Sequence, residues 1–385
     1  MIKTLKVRLY PNEEQLVLLE KHFGSCRFVY NHFLDARTIY YAEHRKGLTA
    51  FDTMKMLTPL KKELVWLNEI NSQSLQHSLI TLDKAFKSFF KHNSDFPKFR
   101  SKKDNQYFIV PSGFKTMNNR LILPKFKEVI VFRDKSEIPK EIKQIIVTRD
   151  VKRYYALIQY ECNTPLGKGN GVVGIDMGIK TFLTTSDGMQ IEPLNAFRKM
   201  EDRLKRTQKK LSRKKKGSKN RKKQVVKIQK IHQQVKDMRT DFLHKVSTAI
   251  TKQYDTFVVE DLNTQGMMKN RKLAKSISDQ GWYQFRTMLE YKLKWRDIDL
   301  ITIGRFEPSS KLCSSCGNIK RDLKLSDRTY HCNNCNLRIN RDLNAAINIR
   351  NMGLIKVGKG IPEFTPVESA TAAELSKGGL RVATL

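Results

Sequence analysis

Through Leu5, Lys6, Val7, Arg8, Leu9 and Tyr10 apolar and polar positions alternate, the period of a strand with one buried face, and Pro11 ends the run. The period then lengthens. Leu16, Leu19, Phe23, Cys26, Tyr30 and Phe33 would lie along one side of a helix that Asn12 and Gln15 cap reciprocally. Leu75, Leu79, Leu82, Phe86 and Phe89 repeat that spacing, so residues 11–104 are expected to form a helical unit with Cys26 as a small core residue. From Gln106 onward short runs rich in branched and aromatic residues follow, YFIV, RLILP, EVIVFRD, QIIVTRD and YYALIQYEC, separated by turn-like residues. They predict a small barrel or sandwich. The first strand has no local partner, so residues 1–10 and 105–165 are expected to make one barrel with the helices inserted, and PLGKGNG at 165–171 to be a linker.

A second region opens with two strands, VVGIDMG and KTFLTTSDG, the latter ending in the turn pair Asp187-Gly188. Residues 198–239 then carry 19 Lys or Arg against three acids, a net of +16, with Gly217-Ser218 in the middle. Helix-forming composition on both sides of that break predicts a hairpin of two helices. A helix from about Asp241, the strand YDTFVVE, a helix around WYQFRTMLEYKLKW and the strand LITIG complete an α/β order. Beyond Lys356 the periodicity fades, and 356–385 is expected to be a disordered tail.

Charge changes the picture. The 385 residues hold 73 Lys plus Arg against 38 acids, a formal net charge of +35. Nucleic acid and an anionic membrane surface are the partners such a chain implies. Its apolar runs fall well short of the roughly 20 residues of a spanning helix, and the N-terminus lacks an apolar signal segment, so a soluble cytoplasmic protein is expected. The basic hairpin is expected to bind phosphates, with Lys214, Lys215, Lys216 and Lys222 as candidate contacts.

Two groups of residues carry metal chemistry. CSSCGNIKRDLKLSDRTYHCNNC supplies Cys313, Cys316, Cys332 and Cys335 as two C-x2-C knuckles, the pattern of a zinc ribbon over 309–338. Too few apolar residues surround them to make a core of unligated thiols, and four cysteines leave His331 outside the tetrahedron. The second group is acidic. Asp176 ends the apolar run Val172-Val173-Gly174-Ile175, and Glu260 ends Thr256-Phe257-Val258-Val259 in the same way. Asp342 stands at a helix start, pinned by Ala345, Ala346 and Ile349. A carboxylate at the end of a buried strand costs several kcal/mol unless a proton, a base or a metal compensates it. Three of them at one sheet edge suit Mg2+, which takes oxygen ligands and can drive phosphodiester hydrolysis. Asp261 neighbours Glu260, and strand alternation lets only one of the two face inward.

GIDMGIK, RTDFLHK, FVVEDLN, the CSSCG and CNNC knuckles and NRDLNAAINI, in that order, make the chain resemble the TnpB family. These transposon-encoded proteins have a RuvC-like nuclease domain of RNase H fold and are similar to type V CRISPR effectors. The resemblance implies a multidomain α+β protein: a wedge β-barrel (1–10 and 105–165) with a helical recognition domain (11–104), then a RuvC-like α/β domain (171–308 and 339–355) with the zinc ribbon inserted. It implies Asp176, Glu260 and Asp342 as the catalytic acids, and an RNA-guided DNA endonuclease. Its guide RNA would derive from the transposon end and its target would be double-stranded DNA beside a short motif, with one RNA on a monomer near the nucleoid of a bacterium or archaeon. A nuclease-inactive RNA-guided repressor and a transposase acting directly in recombination are the alternatives. No separate helix-turn-helix module for transposon ends is apparent.

Overall fold

The computed structural model describes residues 1–117, 119–133, 138, 139, 141–162, 167, 169–324, 326–358 and 360, and the backbone of 382–384. The chain divides into two compact units, Met1–Asn163 and Thr164–Leu385. Much of the expected linker lies outside the described residues.

The first unit starts with β1 (Ile2–Tyr10) and runs into α1 (Glu13–His44). Asn12 and Gln15 form the expected capping box: Gln15 N donates to Asn12 Oδ1 at 2.8 Å and Asn12 N donates to Gln15 Oε1 at 3.1 Å. Helices α2 (Ala50–Glu63) and α3 (Ser72–Phe90) follow. Strands β2 (Gln106–Val110), β3 (Lys115–Met117), β4 (Arg120–Ile122), β5 (Ile130–Phe132), β6 (Ile142–Asp150) and β7 (Arg153–Glu161) complete the unit. The sheet order is β2-β6-β7-β1-β5-β4-β3, so β1 pairs antiparallel with β7 along its length and with β5 near its end. Its strand partner lies about 150 residues away in sequence, which is why no local signal could reveal it. β2 and β3 are the two ends of the sheet, and the described ladders do not join them. Leu19, Phe23 and Leu79 from the helices share one core with Phe108, Val147 and Ile158 from the strands.

The second unit opens with β8 (Val172–Asp176), β9 (Leu183–Thr185) and β10 (Met189–Ile191). The basic hairpin follows as α4 (Ala196–Ser212) and α5 (Lys219–Gln253). Gly217, at φ +80°, makes the turn and Ser218 caps α5. One expectation changes here: no new helix begins near Asp241, because α5 continues unbroken from Lys219 into the buried residues Phe242, Leu243, Val246 and Ile250. Next come β11 (Thr256–Glu260), the short helices α6 (Thr264–Met267) and α7 (Ala274–Gln280), α8 (Trp282–Lys294) and β12 (Leu300–Ile303). The cysteine segment contributes β13 (Thr329–His331) and β14 (Arg338–Asn340), and α9 (Arg341–Lys356) closes the unit.

A mixed sheet runs in the order β12-β11-β8-β9-β10-β15, where β15 is Val382–Thr384. β12, β11 and β8 are parallel, while β9, β10 and β15 pair antiparallel. A strand in the expected tail is a correction: Val382–Thr384 pairs with β10, whose free edge otherwise leaves backbone donors and acceptors unpaired. Residues 361–381 lie outside the described residues. Strand alternation sorts the two faces. Val173, Ile175, Phe257 and Val259 meet α5 and α8, whereas Val258 and Ile303 meet Ile349 of α9. Burial on both faces explains why VVGI and FVV are continuously apolar.

Candidate active site

Parallel pairing places Val172–Ile175 beside Thr256–Val259, so Asp176 and Glu260 are the next residues of two adjacent strands at the same end of the sheet. Helix α9 brings the third acid. It packs directly on the sheet because two positions have no side chain: a Cβ on Gly174 would stand 2.2 Å from the Ala346 carbonyl oxygen, and one on Gly353 would stand 2.2 Å from a Val258 methyl. That contact sets the N-terminal turn, with Asp342, against the strand ends. Asn340 caps the helix by accepting from the Asp342 and Leu343 amides at 2.9 and 3.2 Å.

Electrostatics report the convergence. Asp176 is pushed well above the usual carboxylate range, first by burial and then by the charges of Glu260 and Asp342, with Arg341 partly offsetting them. Glu260 is raised by burial and held back by a hydrogen bond from Ser309 Oγ. Asp261 points elsewhere, as alternation requires: it pairs with Arg286 at 2.9 Å and Arg305 at 2.8 Å, and these hydrogen bonds lower its pKa. At Asp176 burial and the charges of two neighbouring carboxylates both oppose ionisation, and a hard divalent cation is a counter-charge that would relieve it.

Ser309 is itself held. Asn348 Nδ2 donates to the carbonyls of Ser309 and Leu312, both at 2.7 Å, and Asn344 Nδ2 donates to Leu312 O at 2.7 Å. Asn344 Oδ1 accepts from the Ser314 amide at 3.0 Å. The helix that carries Asp342 therefore fastens the segment that touches Glu260 and leads into Cys313.

Cys313, Cys316, Cys332 and Cys335 offer four sulfurs all within 4.8 Å of one another, the one group of this kind among the described residues. Sγ of Cys313 lies 3.6 Å from that of Cys335, and Cys316 lies 3.5 Å from Cys332. Zinc–sulfur bonds of about 2.3 Å in a tetrahedron put sulfurs roughly 3.8 Å apart, so the cluster fits zinc. A hydrogen bond from the Asn334 side chain brings the Cys316 thiol down to about 6, the Cys335 amide lowers Cys332, and burial pushes Cys313 up to about 12. The local core is only Cys313, Tyr330 and Cys332 with a few partly buried neighbours, a small one for a segment of this length. His331 stays outside this sulfur group.

In the basic hairpin Lys214 is half-buried at the tip, while Lys215, Lys216 and Lys222 are exposed. Arg221 donates to the Leu211 and Lys214 carbonyls at 3.0 and 3.3 Å and so fixes the turn. Below it, the two helices form a groove of about 360 Å³ lined by Arg203, Lys210, Lys227 and Lys230 and by no acid.

Three family profiles match the chain. One described as "Probable transposase" covers residues 147–271, one described as "Cas12f1-like, TNB domain" covers 282–349, and one described as "Helix-turn-helix domain" covers 1–46. A Streptomyces pristinaespiralis protein named "Putative RNA-guided DNA endonuclease" is 38% identical over 361 residues, which span 91% of this chain and 89% of that one. The chain belongs to the TnpB family. An Escherichia coli K12 relative, "Putative RNA-guided DNA endonuclease InsQ", is 33% identical over 372 residues, 90% of this chain and 91% of its own. The cryo-EM structure of a Cas12f1-sgRNA-target DNA complex shares the fold at a TM-score of 0.58 and 16% identity, over 91% of this chain and 99% of that chain.

In this TnpB chain residues 1–46 form β1 and one unbroken helix, so the helix-turn-helix name does not describe their structure. Sequence reasoning named the three acids and four cysteines and did not name Ser309, Arg341, Asn344, Asn348 or the groove residues Arg203, Lys210, Lys227 and Lys230. A signal existed for the asparagines: two amides four residues apart in LNAAINI, within a helix whose residues 343–350 are all buried, demand buried partners. Ser309 gave none.

Proposed function

We propose that the chain is an RNA-guided, Mg2+-dependent DNA endonuclease in which Asp176, Glu260 and Asp342 are the catalytic acids and the four cysteines hold a structural zinc. The observation that supports it most is that two adjacent parallel strands end on Asp176 and Glu260, with Asp342 near enough for both acids to act on Asp176. In this reading the mixed sheet of the second unit, with three parallel and further antiparallel strands under α9, is an RNase H-like, RuvC-type domain over 171–308 and 339–355, with the ribbon at 309–338 inserted. The first unit supplies the wedge and recognition domains. When bound, Mg2+ supplies Lewis-acid charge and an activated water for phosphodiester hydrolysis.

The chain's own groups do the positioning. Asp176 and Glu260 present oxygens from rigid strand ends, and Asp342 does so from the capped start of α9. Ser309 fixes which way the Glu260 carboxylate turns, and Arg341 moderates the negative potential before metal and substrate arrive. The net charge of +35 and the acid-free groove of the hairpin suit a bound RNA and its heteroduplex with DNA, since backbone recognition needs cations and no base readout. The relatives' names support reading that RNA as a guide.

The test is programmability. Protein expressed with its neighbouring transposon end should copurify with one discrete RNA, and changing the RNA's terminal segment should redirect DNA cleavage to the new complementary sequence. Heterogeneous RNA and cleavage indifferent to it would leave only a charge-driven binder.

A further inference from the structure

The cysteine cluster reaches the acids by two routes. On the first, Ser309, which donates to Glu260, stands four residues before Cys313. The stretch between them is a tight turn, in which Pro308 O accepts from the amides of Lys311 and Leu312 at 3.1 and 2.9 Å. Asn348 holds both ends of that turn through the carbonyls of Ser309 and Leu312, and Asn344 holds Leu312 O together with the amide of Ser314, which lies inside the first knuckle. Ser309, Asn344 and Asn348 are all buried. On the second route, the Cys332 amide donates to Leu337 O at 2.9 Å and His331 pairs with Arg338. The second knuckle thus runs through β13 and β14 into Asn340, the cap of α9, two residues before Asp342. A knuckle that moves must break these buried bonds, at ~1–3 kcal/mol for each group left unpaired, or carry Ser309 and the start of α9 with it.

We propose that Asn344 and Asn348 are positioning residues that couple the two sites, so that a metal held by the four thiols sets the affinity of the acids for their divalent cation. The thiols select a thiophilic ion such as zinc and the acids select a hard one, so the two ions do not compete for one site. Both asparagines sit on α9, the helix that carries Asp342, and their side chains bond the segment that orients Glu260. One helix therefore aligns acids that come from different elements, and it does so against a loop whose far end is the first knuckle. Coupling of this kind is reciprocal: the factor by which zinc strengthens binding at the acids is the factor by which the cation at the acids strengthens zinc.

The inference rests on the nuclease reading, and its test separates the two. Mn2+ binding to the full chain is followed by electron paramagnetic resonance with one equivalent of zinc and after zinc removal. Zinc affinity is measured by chelator competition with and without saturating Mg2+. In the parent, zinc removal should weaken Mn2+ binding by about 5- to 100-fold, and Mg2+ should tighten zinc by the same factor. Asn348→Ala and Asn344→Ala should still bind both metals, with that factor cut toward one. A merely structural role would lower the melting temperature or both affinities and leave the factor unchanged. Asp176→Ala, which disturbs neither asparagine, should bind zinc as the parent does and lose the tightening by Mg2+. Mn2+ and zinc affinities that ignore each other in the parent, or a factor that survives intact in both asparagine variants, overturn the coupling and leave the nuclease standing. Mn2+ binding that Asp176→Ala does not weaken overturns both.

Discussion

At Asp176 burial and two neighbouring carboxylates both oppose ionisation, so the geometry of those neighbours is as consequential as the aspartate. Ser309 sets that geometry for Glu260 through a single hydrogen bond. Groups that orient a ligand typically affect metal affinity or activity by roughly 10- to 100-fold. Ser309→Ala should therefore weaken Mn2+ binding, followed by electron paramagnetic resonance, and slow cleavage within that range, without loss of thermal stability; Ser309→Thr should recover most of both. Unchanged Mn2+ affinity would remove Ser309 from the site. Lys292 makes a separate prediction. Its ammonium donates to His244 O, Ser247 Oγ and Thr248 Oγ1 at 2.9, 2.7 and 2.6 Å, and burial lowers its pKa to about 8. A lysine depressed in the fold favours its neutral form there, so it costs stability below pH 8 and the cost falls as pH rises toward the unfolded value. The melting-temperature gap between Lys292→Met and the wild type should shift in the wild type's favour between pH 7 and pH 10. Asp176 and Glu260 stood out in the sequence because each ends an apolar run, and Asp342 because it opens an apolar helical pattern. Ser309 did not, since its partner lies 49 residues away and serine is ordinary in a loop.

Among the elements, α9 does the most to assemble the site, and it docks through absent side chains. Gly174→Ala would drive a methyl into the backbone of Ala346 and Arg350, at 2.2 and 2.5 Å. Backbone cannot step aside as a flexible side chain can, so a loss of ~3 kcal/mol or more is expected in urea denaturation, with cleavage lost in parallel. A Gly174→Ala protein as stable as the parent would contradict this packing. The hairpin has its own anchor. Asn195 offers α4 no side-chain cap, and Asp279 of α7 accepts instead from the amides of Phe197 and Arg198 while pairing with Arg239 at 3.1 Å. Asp279→Ala should cost about 1–3 kcal/mol, having left the half-buried Arg239 and two helix amides without this partner, and should speed amide exchange in α4. The hairpin itself was readable from Gly217-Ser218 between two helix-forming runs. The course of α5 past Asp241 was not, because a basic face gives way to an apolar one without any break in helical period. β10 and β15 are three residues each, too short for any period to show.

For the molecule as a whole, charge and metal do separate work. Residues 198–239 carry +16 of the net +35, and Arg203, Lys210, Lys227 and Lys230 line one groove without an acid. Replacing these four with alanine should flatten the dependence of RNA binding on salt by ~0.7–0.9 in log–log slope for every phosphate that the protein no longer neutralises. Zinc should be present at about one ion per chain. Its removal by a chelator should release the ribbon and, through the clamp of Asn344 and Asn348 on Leu312, lower the stability of α9 as well. Among the described residues no helix is long and apolar enough to cross a membrane. Composition alone pointed to a polyanion partner, and the order of the two knuckles and three acids carried the resemblance to the family. The proposal that the partner is a guide rests on the relatives' names, because guiding needs only backbone contacts and these leave no pattern in sequence.

The most direct measurement is cleavage and binding by Asp176→Ala side by side with the parent. If Asp176 is a metal ligand at the sheet end, the variant should bind guide RNA and target DNA as the parent does. Its Mg2+-dependent cleavage should fall by at least ~10³-fold, because metal charge in the transition state is worth several kcal/mol and each ~1.4 kcal/mol is tenfold. Cleavage at the parent's rate would contradict the account.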